Sequence, residues 1–218
     1  MVNKYIEQLN IETLKEHFEI RVQLHKDLKN MLEPKNVKQD YTDFLNLALG
    51  ISDRYGNFSA NEHGLGELIL AHNTNESIIK LVGKLRLAED PKQIPDFIYD
   101  ANLPYLKISV GSEIALMLQP NLFWVANIRT LWTDFLVSQN YNLKNTNEQL
   151  KLYRQATRED SALEYKYWRS EYTKMTNKIG ALVDEAYPIS HSLQIDTNKY
   201  KYIWFDCLAN AMYENFSI

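Results

Sequence analysis

The 218-residue sequence predicts an all-α fold, a single helical domain over 1–218 with about seven to nine helices. Three observations predict it. The 7 glycines and 6 prolines are about 3% each of the chain, well below ordinary usage, so the chain is poor in turn formers. Apolar residues recur near the 3.6-residue period in several segments. Helix-entry signatures of the Ser/Thr-x-x-Glu/Gln type stand at the head of two of them. The 45% hydrophobic content supplies a sizeable core, so global disorder is excluded.

Thr13 and Glu16 form the first such capping box, each side chain placed to satisfy the other's exposed backbone N–H. Leu14, Phe18, Leu24, Leu28 and Leu32 then line one face, and Pro34 marks the stop. A second helix is expected from Asp40 to about Arg54, with Phe44, Leu45, Ala48 and Leu49 buried and Gly56 beyond its end. Segments 62–72 and 76–88 read as short helices, the latter entered through Asn75. Pro91, Pro95 and Pro104 break the next stretch into turns around one more helical piece. A short irregular or extended segment is expected near 104–111, because Leu106 to Val110 alternates like a strand but has no visible partner. Ser112 is placed to cap a helix through Leu118.

Residues 121 to 187 contain one glycine and no proline, which suits long helices. The first, 121–139, is apolar around most of its circumference and is expected at the centre of the fold. Thr146 with Gln149 forms a second capping box, opening a helix to about Ala156. A long helix follows from about Asp160 to Ala186, ended by Pro188, and a last one spans about 198–214.

Composition excludes several functions. With 24 basic and 28 acidic side chains the net charge is −4, which disfavours nucleic acid as partner, although Lys and Tyr or Trp interleave at 166–169 and 199–202. The lone Cys207 cannot form an intramolecular disulfide, and the polar N-terminal stretch lacks a signal-peptide core, so a cytoplasmic setting is expected. Leu122 to Val137 is interrupted by Asn127, Arg129 and Asp134 and falls short of a membrane span. Neither GxxxxGK[ST], GxGxxG nor GxSxG occurs, and no cofactor is implied.

Three constellations stand out. Asn127, Thr130 and Asp134 share one line on the expected 121–139 helix, and a polar line on an apolar helix means either an internal network or a wet cavity. If it is a cavity, Asp134 acts there as base or ligand and Arg129 holds an anion. If it is a network, Asp134 pairs with Arg or Lys from 154–169. Glu113 is the carboxylate expected to join the site, although its place in a first helical turn is explained by the helix dipole alone. Second, His17, Arg21 and His25 recur every fourth residue and form a candidate anion-binding row, or a solvated stripe. Third, His63 and Glu67 have the i, i+4 spacing of two metal ligands on one helix, or of an ordinary helix start.

These readings favour a helical binding or regulatory protein acting through a protein partner surface or a small-ligand cavity between helices. The alternative is an all-α metal-dependent hydrolase or nuclease drawing His and carboxylate residues from separate helices. Trp204, Phe205 and Phe216 suit either the core or a homodimer face.

Overall fold

A computed structural model describes residues 3–33, 41–51, 56–157 and 161–217. Among them there are fourteen α-helical segments, one 3-10 turn and no strand. In chain order the helices are α1 (Asn3–Ile6), α2 (Ile11–Met31), α3 (Thr42–Ala48), α4 (Phe58–Asn61), α5 (Leu65–His72), α6 (Asn75–Leu87) and α7 (Gln93–Ala101). They continue as α8 (Ile108–Leu118), α9 (Ile128–Ser138), α10 (Leu143–Thr157), α11 (Ser161–Glu171), α12 (Thr176–Glu185), α13 (Tyr187–Ser192) and α14 (Lys201–Phe216).

The all-α class holds, and the segments outnumber the expected seven to nine for local reasons. A 3-10 turn at Tyr172–Met175 divides the expected 160–186 helix into α11 and α12. Pro188 opens α13 rather than closing what precedes it, since the N–H it lacks would be unpaired in a first turn anyway. Pro95 sits inside the first turn of α7 for the same reason. Of the helix expected over 40–54 the described part is α3, and Pro34, Asp40 and Arg54 lie outside the described residues.

Two boundaries are corrected. The irregular stretch ends at Lys107, and Ile108 to Gly111 are already helical, because Ile108 and Val110 are buried and Gly111 lets Ile98 of α7 pack against its backbone. Ser112 therefore lies within α8, its hydroxyl donating to the Ser109 carbonyl, and Lys107 holds the position before the helix. Residues 121–127 are not helical: Phe123 to Ala126 are fully buried in irregular backbone and the helix starts only at Ile128.

Helix entries explain much of this pattern. Asn10 accepts from the N–H groups of Glu12 and Thr13 and is the cap of α2, leaving Thr13 within the first turn. Asn142 accepts from Asn145 N–H at the head of α10, where Thr146 bonds back to the Asn142 carbonyl. Asn57 and Asn127 cap α4 and α9, and Thr74 caps α6. Both capping boxes were thus displaced by three or four residues from the side chain that performs the capping.

The chain groups into two compact units, residues 1–18 with 126–218, and residues 19–125. In the second, α8 is the central helix, with nine of its eleven residues buried, and it packs on α4, α6 and α7. Its glycines permit close approach. A Cβ on Gly66 would lie 2.3 Å from the Leu49 carbonyl oxygen, a backbone atom that cannot swing aside. Gly66→Ala is expected to cost about 1–3 kcal/mol in urea unfolding; an unchanged midpoint would show that α5 is free to move away.

In the first unit α9 packs on α10, α12 and α14. Trp132, Trp168 and Trp204 are fully buried, and Phe18 meets Tyr200 and Trp204 edge-on at 6.0 and 6.2 Å. The Tyr5 hydroxyl donates to the Tyr141 carbonyl at 3.0 Å, just where Asn140 and Tyr141 take left-handed φ of 50° and 62° to turn α9 into α10.

Candidate functional site

The residues expected to form one site are dispersed among separate structural tasks. Asn127 is outside the helix, and its Oδ1 accepts from Arg129 and Thr130 N–H, both at 3.0 Å. Thr130 and Asp134 are buried one turn apart on α9. Asp134 pairs with Lys178 of α12 at 2.9 Å, not with a cation from 154–169. Burial pushes the Asp134 carboxyl above its ordinary range, opposed by the Lys178 hydrogen bond and charge. Arg129 lies over the Tyr213 ring at 6.0 Å, and the Thr133 hydroxyl is spent on the Arg129 carbonyl.

Glu113 belongs to the other unit, and its helix starts five residues earlier, so a first-turn dipole does not explain its place. It is the sixth residue of α8, 1% exposed, and its carboxylate accepts from the Phe58 and Ser59 N–H groups at 2.7 and 2.9 Å, filling the head of α4. It also forms a buried ion pair with Arg21. The anion gripped by the predicted row is therefore internal. Arg21 is further covered by Phe58, whose ring centroid is 4.8 Å from the guanidinium carbon. His25 is buried with Nδ1 donating to the Met117 carbonyl at 2.6 Å. His17 is half-buried and falls in the unit formed by 1–18 and 126–218.

His63 lies in the turn before α5, two residues ahead of Leu65, so the i, i+4 geometry assumed for it and Glu67 does not form. Among the described residues no group of three or more His, Cys, Asp or Glu side chains is placed to hold a metal ion. Nor is any described helix long and apolar enough to cross a membrane.

Two concave surfaces lie along α10. Only Thr146 and Leu150 of its 15 residues are buried, so most of the helix is left open. A groove of about 1000 Å³ runs between Ile128 at the head of α9, the α10 residues from Lys144 to Thr157, and Glu164 of α11. A smaller groove of about 520 Å³ is lined by Phe135, Leu152, Tyr153, Leu163 and Tyr167 among others. Tyr153 and Thr157 line both. None of Glu113, Asn127, Arg129, Thr130 or Asp134 lines either.

Comparison with family models, curated proteins and solved structures finds no significant match.

The wall of the larger groove is fixed from behind. Trp132 Nε1 donates to Asn147 Oδ1 at 2.7 Å and the Trp132 ring meets Tyr213 edge-on at 5.9 Å. The Tyr213 hydroxyl in turn accepts from Arg154 at 2.8 Å. At the other end Tyr153 stands edge-on to Tyr167 at 5.0 Å, and Tyr167 to Trp168 at 5.9 Å. Burial, and then the Glu164 carboxylate beside it, push the Tyr153 phenol up. Burial, then Asp134 and Glu171, do the same to Tyr167. Neither phenol ionises near neutral pH, so both act as neutral rings with hydroxyl groups.

Sequence reasoning missed Tyr153, Glu164 and Asn147. A signal existed: Leu150, Tyr153 and Thr157 follow i, i+3, i+7 along a mostly polar helix, and Glu164 and Tyr167 are three apart on the next.

Proposed function

We propose that this chain is a binding protein whose ligand is a small molecule with an apolar body, held in the larger groove along α10. The observation that carries the reading is the groove itself. Its volume of about 1000 Å³ is that of a small-molecule site, and Ile128 and Leu150 present apolar surface among a few polar groups, Asn147, Tyr153, Arg154 and Glu164. Such a site recognises an apolar body by desolvation and orients it by its polar ends. Aromatic rings braced against each other behind and beside it limit the ordering needed on binding.

Binding of Nile red, an uncharged apolar dye, tests the reading. Emission is expected to rise with a saturable, one-site profile. Ile128→Trp, which places an indole in the groove from a half-buried position, is expected to weaken that site about tenfold or more. An equal enhancement in the filled variant would place the dye elsewhere and overturn the proposal.

A further inference from the structure

Resting on the groove as the ligand site, we propose that its ligand is an organic cation, an alkylammonium whose charged head is seated on Glu164 against the ring of Tyr153.

Several carboxylates stand around the Tyr153–Tyr167 pair. Asp134 is matched by Lys178 at 2.9 Å and Glu171 by Lys174 at 2.7 Å. Glu148 is exposed on α10 with Lys144 one turn before it and Lys151 one turn after. Glu164 differs from all three. It is half-buried, it lines the groove, and no cation or hydrogen-bond donor is paired with it among the described residues. Burial raises its carboxyl, and among the described residues no positive charge opposes the rise. A carboxylate removed from water without a counter-charge is costly, and the missing charge is of the kind a ligand brings.

The groove's own cations do not fill this place. Arg154 is directed to the Tyr213 hydroxyl. Lys151 is exposed, and Lys144 is 13 residues before Thr157, about 20 Å along the helix at the usual rise. None of them lowers the Glu164 carboxyl. Beside Glu164 stands the ring of Tyr153, itself edge-on to Tyr167, and the negative face of such a ring attracts cations. Carboxylate and ring together discriminate by charge, while Ile128 and Leu150 accept the alkyl chain.

Calorimetric titration with hexyltrimethylammonium, 1-hexanol and hexanoate tests this. The ammonium probe is expected to bind about tenfold tighter than the alcohol, and hexanoate weakest. Glu164→Gln is expected to abolish the preference for the ammonium over the alcohol, and Tyr153→Leu, which keeps apolar volume, to reduce it. Equal binding of ammonium and alcohol to the native protein, or a preference that survives Glu164→Gln, overturns the inference and leaves the groove reading standing. If no probe binds and Nile red does not bind, the groove reading itself fails and the inference with it.

Discussion

Glu113→Ala is expected to lower unfolding free energy by about 3–5 kcal/mol, the range for removing one partner of a buried ion pair. The carboxylate serves three donors at once, the Arg21 guanidinium and the N–H groups of Phe58 and Ser59. Deleting it takes a charged partner from a guanidinium that is fully enclosed and takes the acceptors from two amides at the head of α4. Asn57, whose side chain caps Ala60 and donates to the Val110 carbonyl, keeps α4 attached to α8, so local loosening is expected before global loss. Arg21→Met should cost less than Glu113→Ala, because the carboxylate keeps both amides. The double variant Arg21→Met with Glu113→Leu should be more stable than the sum of the single losses implies, since no buried charge is then left over. Urea unfolding of the four proteins measures this. A loss below about 1 kcal/mol for Glu113→Ala would mean that water reaches the pair and that α4 is not anchored by it.

Trp132→Ala is expected to cost a comparable 3–5 kcal/mol, roughly the value for deleting a fully buried large aromatic side chain. The indole is wholly enclosed, meets Tyr213 edge-on and donates to Asn147, so its removal opens a cavity between α9, α10 and α14. Trp132→Phe separates the two contributions. Much of the ring volume is kept, and the loss is then mainly the hydrogen bond to Asn147 Oδ1, about 1–3 kcal/mol when a buried acceptor is left unpaired. Because Asn147 lines the larger groove, both variants should also weaken Nile red binding, Trp132→Ala more than Trp132→Phe. Equal stability losses for the two substitutions would show that packing contributes nothing beyond the hydrogen bond.

The helices themselves were readable where periodic apolar residues met a clean stop, as in α2 and α6. Errors gathered at helix entries, and they share a cause. Ser/Thr-x-x-Glu/Gln is one way to satisfy first-turn amides, but this chain has 20 asparagines and uses Asn10, Asn57, Asn127 and Asn142 at four entries instead. Reading Asn127 as a helical residue rather than a cap converted a buried irregular run, Phe123 to Ala126, into helix and created a polar line that the backbone does not present. The row His17, Arg21, His25 was located correctly on one helix, but whether a cation there faces water or a carboxylate 92 residues away is decided by packing.

Class and periodicity were settled by local physics: few turn formers, repeating apolar spacing, and side chains able to close a helix end. These act within a few residues, so they are visible in one dimension. The site was settled by what each helix is packed against. α10 has a modest apolar stripe in its own sequence, and it becomes a groove wall only because α9 and α11 leave most of that helix open. Likewise, the carboxylates of Glu113 and Glu164 are the same group chemically. One is absorbed by an arginine and two amides brought from distant segments, the other is half-buried without a counter-charge among the described residues, and that difference exists only in three dimensions.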